Sequence, residues 1–151
     1  GGATEITIHG RTKADGYRAD RITWEKIGEV RSRLTIPVIA NGEIWRWEDG
    51  QACLKTTGCE DLMVGRGALN IPNLSLVLKQ NCEKMPWVDI QKILQKYAEM
   101  ENFHDSGFYH VARIKQWLRY LNKEYPEADI VFERIKTSKT AEDLRERLCH
   151  S

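Results

Sequence analysis

Three short aliphatic runs, each followed at once by a glycine-containing loop, limit most strongly what this chain can fold into. The runs lack polar alternation, and stretches of helical periodicity separate them. This arrangement is typical of parallel strands that are buried on both faces and connected by helical crossovers. The predicted strands cover residues 5–9, 38–41 and 62–65, and the predicted helices between them cover residues 24–34 and 48–57.

Consecutive βα units of this kind predict part of a TIM barrel, which we assign to residues 1–80. Three units are too few to close such a barrel, so we expect the missing strands upstream of Gly1. The units would then be the last three βα units of the barrel. An open piece leaves a strand edge without a neighbour, which favours self-association through that edge.

The carboxyl-terminal part of the chain has a different character. In residues 87–151 helical spacing replaces the β-branched runs, with breaks at residues 106–107 and at Pro126. Thr140 and Asp143 have the spacing of a capping box. We therefore predict a separate, all-α domain here. Its predicted helices cover residues 88–102, 109–124, 128–135 and 141–149.

Composition excludes several classes of protein. The chain of 151 residues has no apolar run long enough for a membrane span and no secretory leader, so a cytoplasmic location is expected. Its four cysteines include no Cys-x-x-Cys pair, which argues against a metal site and predicts reduced thiols. Cys53 falls inside a predicted helix, and we interpret the five tryptophans as packing residues.

The loops after the strands carry groups that suit an anionic ligand. Gly65 and Arg66 suit a phosphate, because glycine lets backbone N–H groups approach and arginine forks onto the phosphate oxygens. His9 and Arg11 can each donate a hydrogen bond to such a ligand, and Glu43 can accept one from a hydroxyl group. A purely structural histidine and an ordinary turn at Asn41 are the simpler alternatives.

The helix predicted over residues 109–124 has a basic face that also carries aromatic rings. Residues 106–123 contain no acid, and their Lys and Arg residues are Arg113, Lys115, Arg119 and Lys123. The opposite, apolar face consists of Val111, Ile114, Leu118 and Leu121. Such a basic face suits a folded RNA, and a solvated face that pairs with acids elsewhere is the alternative.

Four strings of the barrel part resemble the flavin-dependent tRNA dihydrouridine synthases, namely residues 8–12, 16–18, 36–43 and 63–72. Residues 109–118 resemble the bacterial C subfamily, which acts on uridine 16 of the tRNA D-loop. The resemblance covers the whole chain. It implies an FMN-binding TIM barrel followed by a helical tRNA-binding domain, with NADPH as the source of reducing equivalents.

The resemblance also implies roles for particular residues. The implied FMN contacts are Asn41, Gly42 and Glu43 for the ribityl and phosphate region, Gly65 and Arg66 for the phosphate, and His9 beside the flavin ring. The implied tRNA contacts are Arg113 and Lys115, which would orient the tRNA, with Tyr17, Tyr120 and Lys136 as further contacts.

One departure from the family limits what this chain can do alone. The family's catalytic cysteine, which protonates the uracil ring, lies in a loop of the amino-terminal half, and no cysteine here has that context. We therefore expect no catalytic residue in this chain, no synthase activity from the chain alone, and weak or no FMN binding by it. Two other interpretations stay open: an autonomous, non-catalytic tRNA-binding module, and an unrelated phosphate-binding barrel enzyme that acts on a small metabolite.

Overall fold

A computed structural model describes residues 1–16, 18–100 and 108–149, without the side chains of Ala19 and Cys149. The chain divides into two compact units. The first, which we call the sheet unit, contains residues 1–68 and 73–83, and the second, the helical unit, contains residues 69–72 and 84–151. Within the described ranges, no helix is long and apolar enough to cross a membrane.

The sheet unit is built on three parallel strands in the order β1-β2-β3. The strands are β1, Ile6–His9, β2, Val38–Asn41, and β3, Asp61–Met63. The register pairs His9 with Asn41 and Asn41 with Met63. Because the strands are parallel, their carboxyl ends meet at one edge of the sheet, and the three loops that follow begin side by side. The predicted parallel arrangement is confirmed.

Helices pack against this sheet and against one another. They are α1, Trp24–Arg31, α2, Trp47–Thr57, and α4, Leu74–Gln80, while the one-turn α3 is Gly67–Asn70. Helix α2 begins where the Asp49 carboxylate accepts the backbone N–H groups of Trp45 and Arg46, each at 3.0 Å. It ends at Gly58, whose φ of 67° is left-handed. The buried core of the unit consists of Ile27, Val38, Ala40, Ile44, Cys53 and Cys59.

The outer strands are less buried than their sequence pattern predicts. In the central strand β2, Val38 and Ala40 are buried, but Ile6 of β1 is 38% exposed and Met63 of β3 is 48% exposed. Among the described residues, β1 and β3 each have a strand neighbour on one side only, so fewer neighbouring side chains cover theirs. The prediction that all three strands are buried on both faces is therefore wrong for β1 and β3.

Helices α3 and α4 are not predicted from the sequence pattern. Leu74, Val77 and the half-buried Leu78 have the i, i+3, i+4 spacing of an amphipathic helix, and the first two are buried. Pro72 and the near-continuous apolar run of residues 74–78 obscure that spacing, because such a short run also fits a strand. Helix α4 packs against α2 within the sheet unit.

The helical unit contains four longer helices among its described residues. These are α5, Trp87–Glu99, α6, Phe108–Leu121, α7, Glu127–Ile135, and α8, Ala141–Cys149. The predicted apolar face of α6 is confirmed, because Val111, Ile114, Leu118 and Leu121 are each 2% exposed or less. His110 extends this face and stacks on Tyr97 of α5, with ring centroids 4.4 Å apart. Residues 101–107, which include a predicted helix end and a predicted break, lie outside the described residues.

Helix α8 begins at the predicted capping box, but only one of the two hydrogen bonds of that box forms. The N–H of Asp143 donates to Thr140 Oγ1 at 3.2 Å, which is half of a capping box. The carboxylate of Asp143 accepts from Arg147 Nε at 2.6 Å, one turn further along. This bond to Arg147 holds the pKa of Asp143 below its ordinary value, because it favours the ionised carboxylate.

The buried thiol of Cys53 gives a first testable prediction. Burial raises the pKa of Cys53 to about 11, because the thiolate is poorly solvated in the core. At pH 8 only about one Cys53 thiol in a thousand is then ionised. We expect iodoacetamide at pH 8 to label Cys82, which is half-buried, much faster than Cys53. Mass spectrometry of the digested protein measures both rates, and labelling in guanidinium is the control that should make them equal. Equal rates in the native chain would contradict the burial.

Candidate functional site

A pocket of about 150 Å³ opens at the carboxyl ends of the three strands of the sheet unit. It contains all six residues for which the sequence predicts contacts with a cofactor, namely His9, Asn41, Gly42, Glu43, Gly65 and Arg66. The remaining lining residues are Ile44, Trp45, Met63, Val64 and Gly67. Residues from three separate loops therefore meet at one place, as expected for loops that follow neighbouring parallel strands.

Polar side chains link the three strand ends across the pocket floor. Asn41 Nδ2 donates to the Met63 carbonyl oxygen at 2.7 Å. The Asn41 amide oxygen consequently faces His9, whose Nδ1 lies 2.6 Å away. An amide oxygen only accepts hydrogen bonds, so Nδ1 carries the hydrogen and, in the neutral ring, Nε2 is left as an acceptor. Asn41 thus orients His9. The two side chains can meet because His9 lies opposite Asn41 in the register of the sheet.

Glu43 is the electrostatic centre of the pocket. Its side chain is only 9% exposed and pairs with Arg11, 2% exposed, at 2.8 Å and with Arg66, 39% exposed, at 3.3 Å. Its second oxygen accepts from the indole Nε1 of Trp45 at 2.8 Å. A carboxylate this far from water requires such partners, because desolvation of a bare charge is costly. With one acid and two guanidinium groups, the cluster keeps a net positive charge.

The backbone at Glu43 is strained in a way that positions its carboxylate. Glu43 has a φ of 53°, in the left-handed region that side chains other than glycine rarely adopt, and it follows Gly42 with a φ of 124°. The indole of Trp24 donates to the Gly42 carbonyl oxygen at 2.9 Å and holds this turn. Strain of this kind persists only where the surroundings fix it, and it is concentrated at functional sites.

The loop after β3 is open at one glycine and tightly packed at the next. A Cβ atom at Gly65 would have no other atom within 4 Å, whereas a Cβ atom at Gly67 would lie 2.3 Å from the Ile44 carbonyl oxygen. Gly65 therefore leaves its backbone accessible from the pocket. The guanidinium of Arg66 lies over the Trp45 ring, 5.3 Å from its centroid. Accessible backbone and a partly exposed guanidinium are together suited to an anion.

Two residues of this site have roles that their sequence pattern does not reveal. The sequence predicts Arg11 only as a donor to a ligand, but its guanidinium is bound to Glu43 and to the Arg18 carbonyl oxygen at 2.7 Å. Trp45 was interpreted as a packing residue, but it holds Glu43 and stacks on Arg66. The proximity of Trp45 to Glu43 in sequence was a signal for its bond, while nothing in the sequence specified the partner of Arg11.

Four of the five predicted tRNA contacts lie in the described part of the helical unit, and Tyr17 lies outside the described residues. Arg113 is exposed and binds the Tyr109 hydroxyl and Gln116 Oε1, the latter at 2.9 Å. The ring of Tyr120 is half-buried. Lys136 is exposed and forms an ion pair with Glu133 one turn earlier.

Lys115 differs from the other basic residues of α6. Its ammonium group donates to the carbonyl oxygens of Lys136 at 2.8 Å and Ser138 at 2.6 Å, which follow α7. Desolvation lowers the pKa of Lys115, because partial burial disfavours the charged form. Lys115 therefore fixes the turn between α7 and α8, which carries Lys136.

Across the residues that the structure describes, no group of three or more metal-ligating side chains could hold a metal ion. A parallel βα sheet with a pocket at the carboxyl ends of its strands is the arrangement of β/α-barrel enzymes, and the sheet unit is consistent with part of such a barrel. The family model of the dihydrouridine synthases (Dus) matches residues 1–149. The chain therefore belongs to the dihydrouridine synthase family.

Individual relatives agree with this assignment. The tRNA-dihydrouridine(16) synthase of Haemophilus influenzae is 80% identical over 148 residues, which are 98% of this chain and 48% of that protein. The corresponding protein of Pasteurella multocida is 67% identical over 98% of this chain and 47% of its own length. That of Escherichia coli K12 is 55% identical over 95% of this chain and 45% of its own length. The chain spans about half the length of the curated relatives it matches.

Proposed function

We propose that this chain is the carboxyl-terminal part of an FMN-dependent tRNA dihydrouridine synthase, which reduces a uridine of tRNA to 5,6-dihydrouridine with NADPH as the reductant. The names of the relatives specify position 16, and we propose the same uridine here. One observation supports the proposal most. The six residues that the family resemblance assigns to FMN converge on one pocket at the carboxyl ends of the strands.

The donors and acceptors of the pocket fit FMN. Gly65 and Arg66 would hold the phosphate through accessible backbone and a guanidinium group, and Glu43 would accept a ribityl hydroxyl. His9, with Nδ1 bound to Asn41, has Nε2 left to accept from an N–H group of the ring system. When bound, the flavin would supply the hydride that saturates the uracil ring. The net positive charge of the Glu43 cluster favours the phosphate.

The helical unit supports a tRNA-binding role. Arg113 has no carboxylate partner in the described structure and is available to a phosphate group. Tyr120 and Lys136 lie in the same unit. Lys115 would contact RNA only by exchanging its bonds to two carbonyl groups, so we propose that it acts chiefly by fixing the turn that carries Lys136.

The experiment that tests this function uses unmodified tRNA, FMN and NADPH. We expect the whole enzyme to form dihydrouridine at position 16, detected as a stop in primer extension. We expect this 151-residue chain alone to form none, because it has no cysteine in the family's catalytic context. Dihydrouridine made by the chain alone would contradict this expectation. A whole enzyme that leaves tRNA unchanged would contradict the proposed function.

The phosphate contact gives a second testable prediction. In the whole enzyme, Arg66→Met should weaken FMN binding about tenfold to a hundredfold, the usual size of a lost charge-assisted hydrogen bond. Riboflavin, which lacks the phosphate, is the matched control ligand, and its affinity should change little. Flavin fluorescence titration measures both affinities. Equal losses for the two flavins would mean that Arg66 does not contact the phosphate.

A further inference from the structure

We propose that a second pocket, in the helical unit, receives one unpaired nucleobase of the RNA. This inference rests on the proposed function, because it names a contact of the same tRNA substrate. The pocket has a volume of about 270 Å³. Its lining consists of Leu69, Tyr97, Arg113, Ile114, Gln116, Trp117 and Tyr120. A volume of this size holds several water molecules and so has room for one flat ring system.

Three aromatic residues give the pocket the chemistry of a stacking site. Tyr97 is held in place by His110, on which it stacks at 4.4 Å with an angle of 4° between the rings. Trp117 is fixed by the bond from its Nε1 to the Leu69 carbonyl oxygen at 3.1 Å. Tyr120 completes the aromatic lining. Rings whose rotamers are already fixed lose little entropy when a base stacks on them.

Arg113 adds a positive charge at the pocket. Its guanidinium binds the Tyr109 hydroxyl and lies 4.6 Å from the centroid of that ring, and it also donates to Gln116 Oε1. These are neutral partners, so the charge of Arg113 is not cancelled by a carboxylate within the described residues. A nucleotide brings a ring and a phosphate to adjacent places, which matches a ring-lined pocket beside an uncompensated guanidinium.

Charge favours RNA over an apolar peptide as the occupant. Neither the described lining of the pocket nor helix α6 contains an acidic residue, while α6 carries Arg113, Lys115 and Arg119. Gln116 Oε1 faces Arg113, so its amide nitrogen is left to donate to a base edge. Unpaired bases are the part of an RNA that proteins recognise by stacking and by hydrogen bonds to their edges.

The test compares two substitutions of one residue in the whole enzyme. Tyr120→Leu removes the ring but keeps an apolar side chain, and Tyr120→Phe keeps the ring as the matched control. We expect Tyr120→Leu to weaken tRNA binding about fivefold to 150-fold, and Tyr120→Phe to bind almost as wild type does. The salt dependence of binding should stay unchanged in both, because no phosphate contact is lost. Arg113→Met, in contrast, should reduce the salt slope by about one.

An abasic scan of the unpaired tRNA positions identifies the base itself. Removal of the base that stacks on Tyr120 should weaken tRNA binding to the wild-type enzyme. The same abasic tRNA should bind Tyr120→Leu as well as intact tRNA does, because this variant has already lost the stacking contact. If wild type binds tRNA and Tyr120→Leu binds equally well, or if no abasic position depends on Tyr120, the pocket proposal is wrong and the proposed function survives. If wild type shows no salt-sensitive tRNA binding, the proposed function fails first and the pocket proposal with it. Circular dichroism of each variant verifies its fold.

Discussion

Replacing Arg11 with methionine is expected to lower the free energy of unfolding of this chain by about 3 kcal/mol, because it removes the nearest partner of a buried carboxylate. Arg11 and Glu43 are 2% and 9% exposed and lie 2.8 Å apart. The longer pair with Arg66, at 3.3 Å, and the Trp45 indole would remain, so the loss should stay near the lower limit for a broken buried pair. Urea denaturation measures the effect as a fall of about 1 M or more in the midpoint.

Arg18→Met is the matched control for this prediction. Arg18 pairs with Asp20 at 2.9 Å, almost the same distance, but the two side chains are 65% and 61% exposed. Water solvates and screens such a pair, so its loss should lower the free energy of unfolding by less than about 1 kcal/mol. Equal midpoints for Arg11→Met and Arg18→Met would show that Glu43 does not depend on Arg11.

Gly67→Ala is expected to destabilise the chain by about 3 kcal/mol, the second large effect. The added Cβ atom would lie 2.3 Å from the Ile44 carbonyl oxygen and 2.8 Å from Leu74 Cδ2. Because the first of these is a backbone atom, the loop after β2 must move to accommodate it, and overpacking of this kind usually costs about 1–3 kcal/mol or more. Differential scanning calorimetry measures the loss as a lower melting temperature.

The control for this substitution lies two residues earlier. Gly65→Ala adds the same methyl group where no other atom lies within 4 Å, so the melting temperature should stay the same or rise slightly. The same variant should weaken FMN binding in the whole enzyme, because it covers accessible backbone of the proposed phosphate site. A similar melting temperature for both alanine variants would contradict the close packing at Gly67.

The position of the pocket could be predicted from sequence, whereas its charge pairs could not. Residues that follow parallel strands must meet at one edge of the sheet, so His9, Asn41 and Arg66 converge whatever their rotamers are. Which guanidinium binds Glu43, however, depends on side-chain packing between loops far apart in the chain. The basic residues near these strands have similar sequence surroundings, so nothing singled out Arg11 as the buried one.

The helical unit illustrates the same limit. A helical wheel gives the direction of a side chain, so the buried face of α6 could be predicted, with Val111 and Leu118 as examples. It does not give the partner, and Lys115 is bound to two carbonyl oxygens beyond α7 that no periodicity indicates. Helix α4 was missed for a different reason, because its short apolar run fits a strand and a helix equally well.

The division of the chain into interleaved units has a consequence for the exchange of parts between relatives. Residues 69–72 belong to the helical unit, although residues 73–83 return to the sheet unit. A chimera spliced once, after Glu83, would bring in foreign helices α5–α8 but keep the native Leu69, whose carbonyl oxygen accepts the Trp117 indole. A graft between family members that is to keep the helical unit intact therefore needs residues 69–72 together with helices α5–α8.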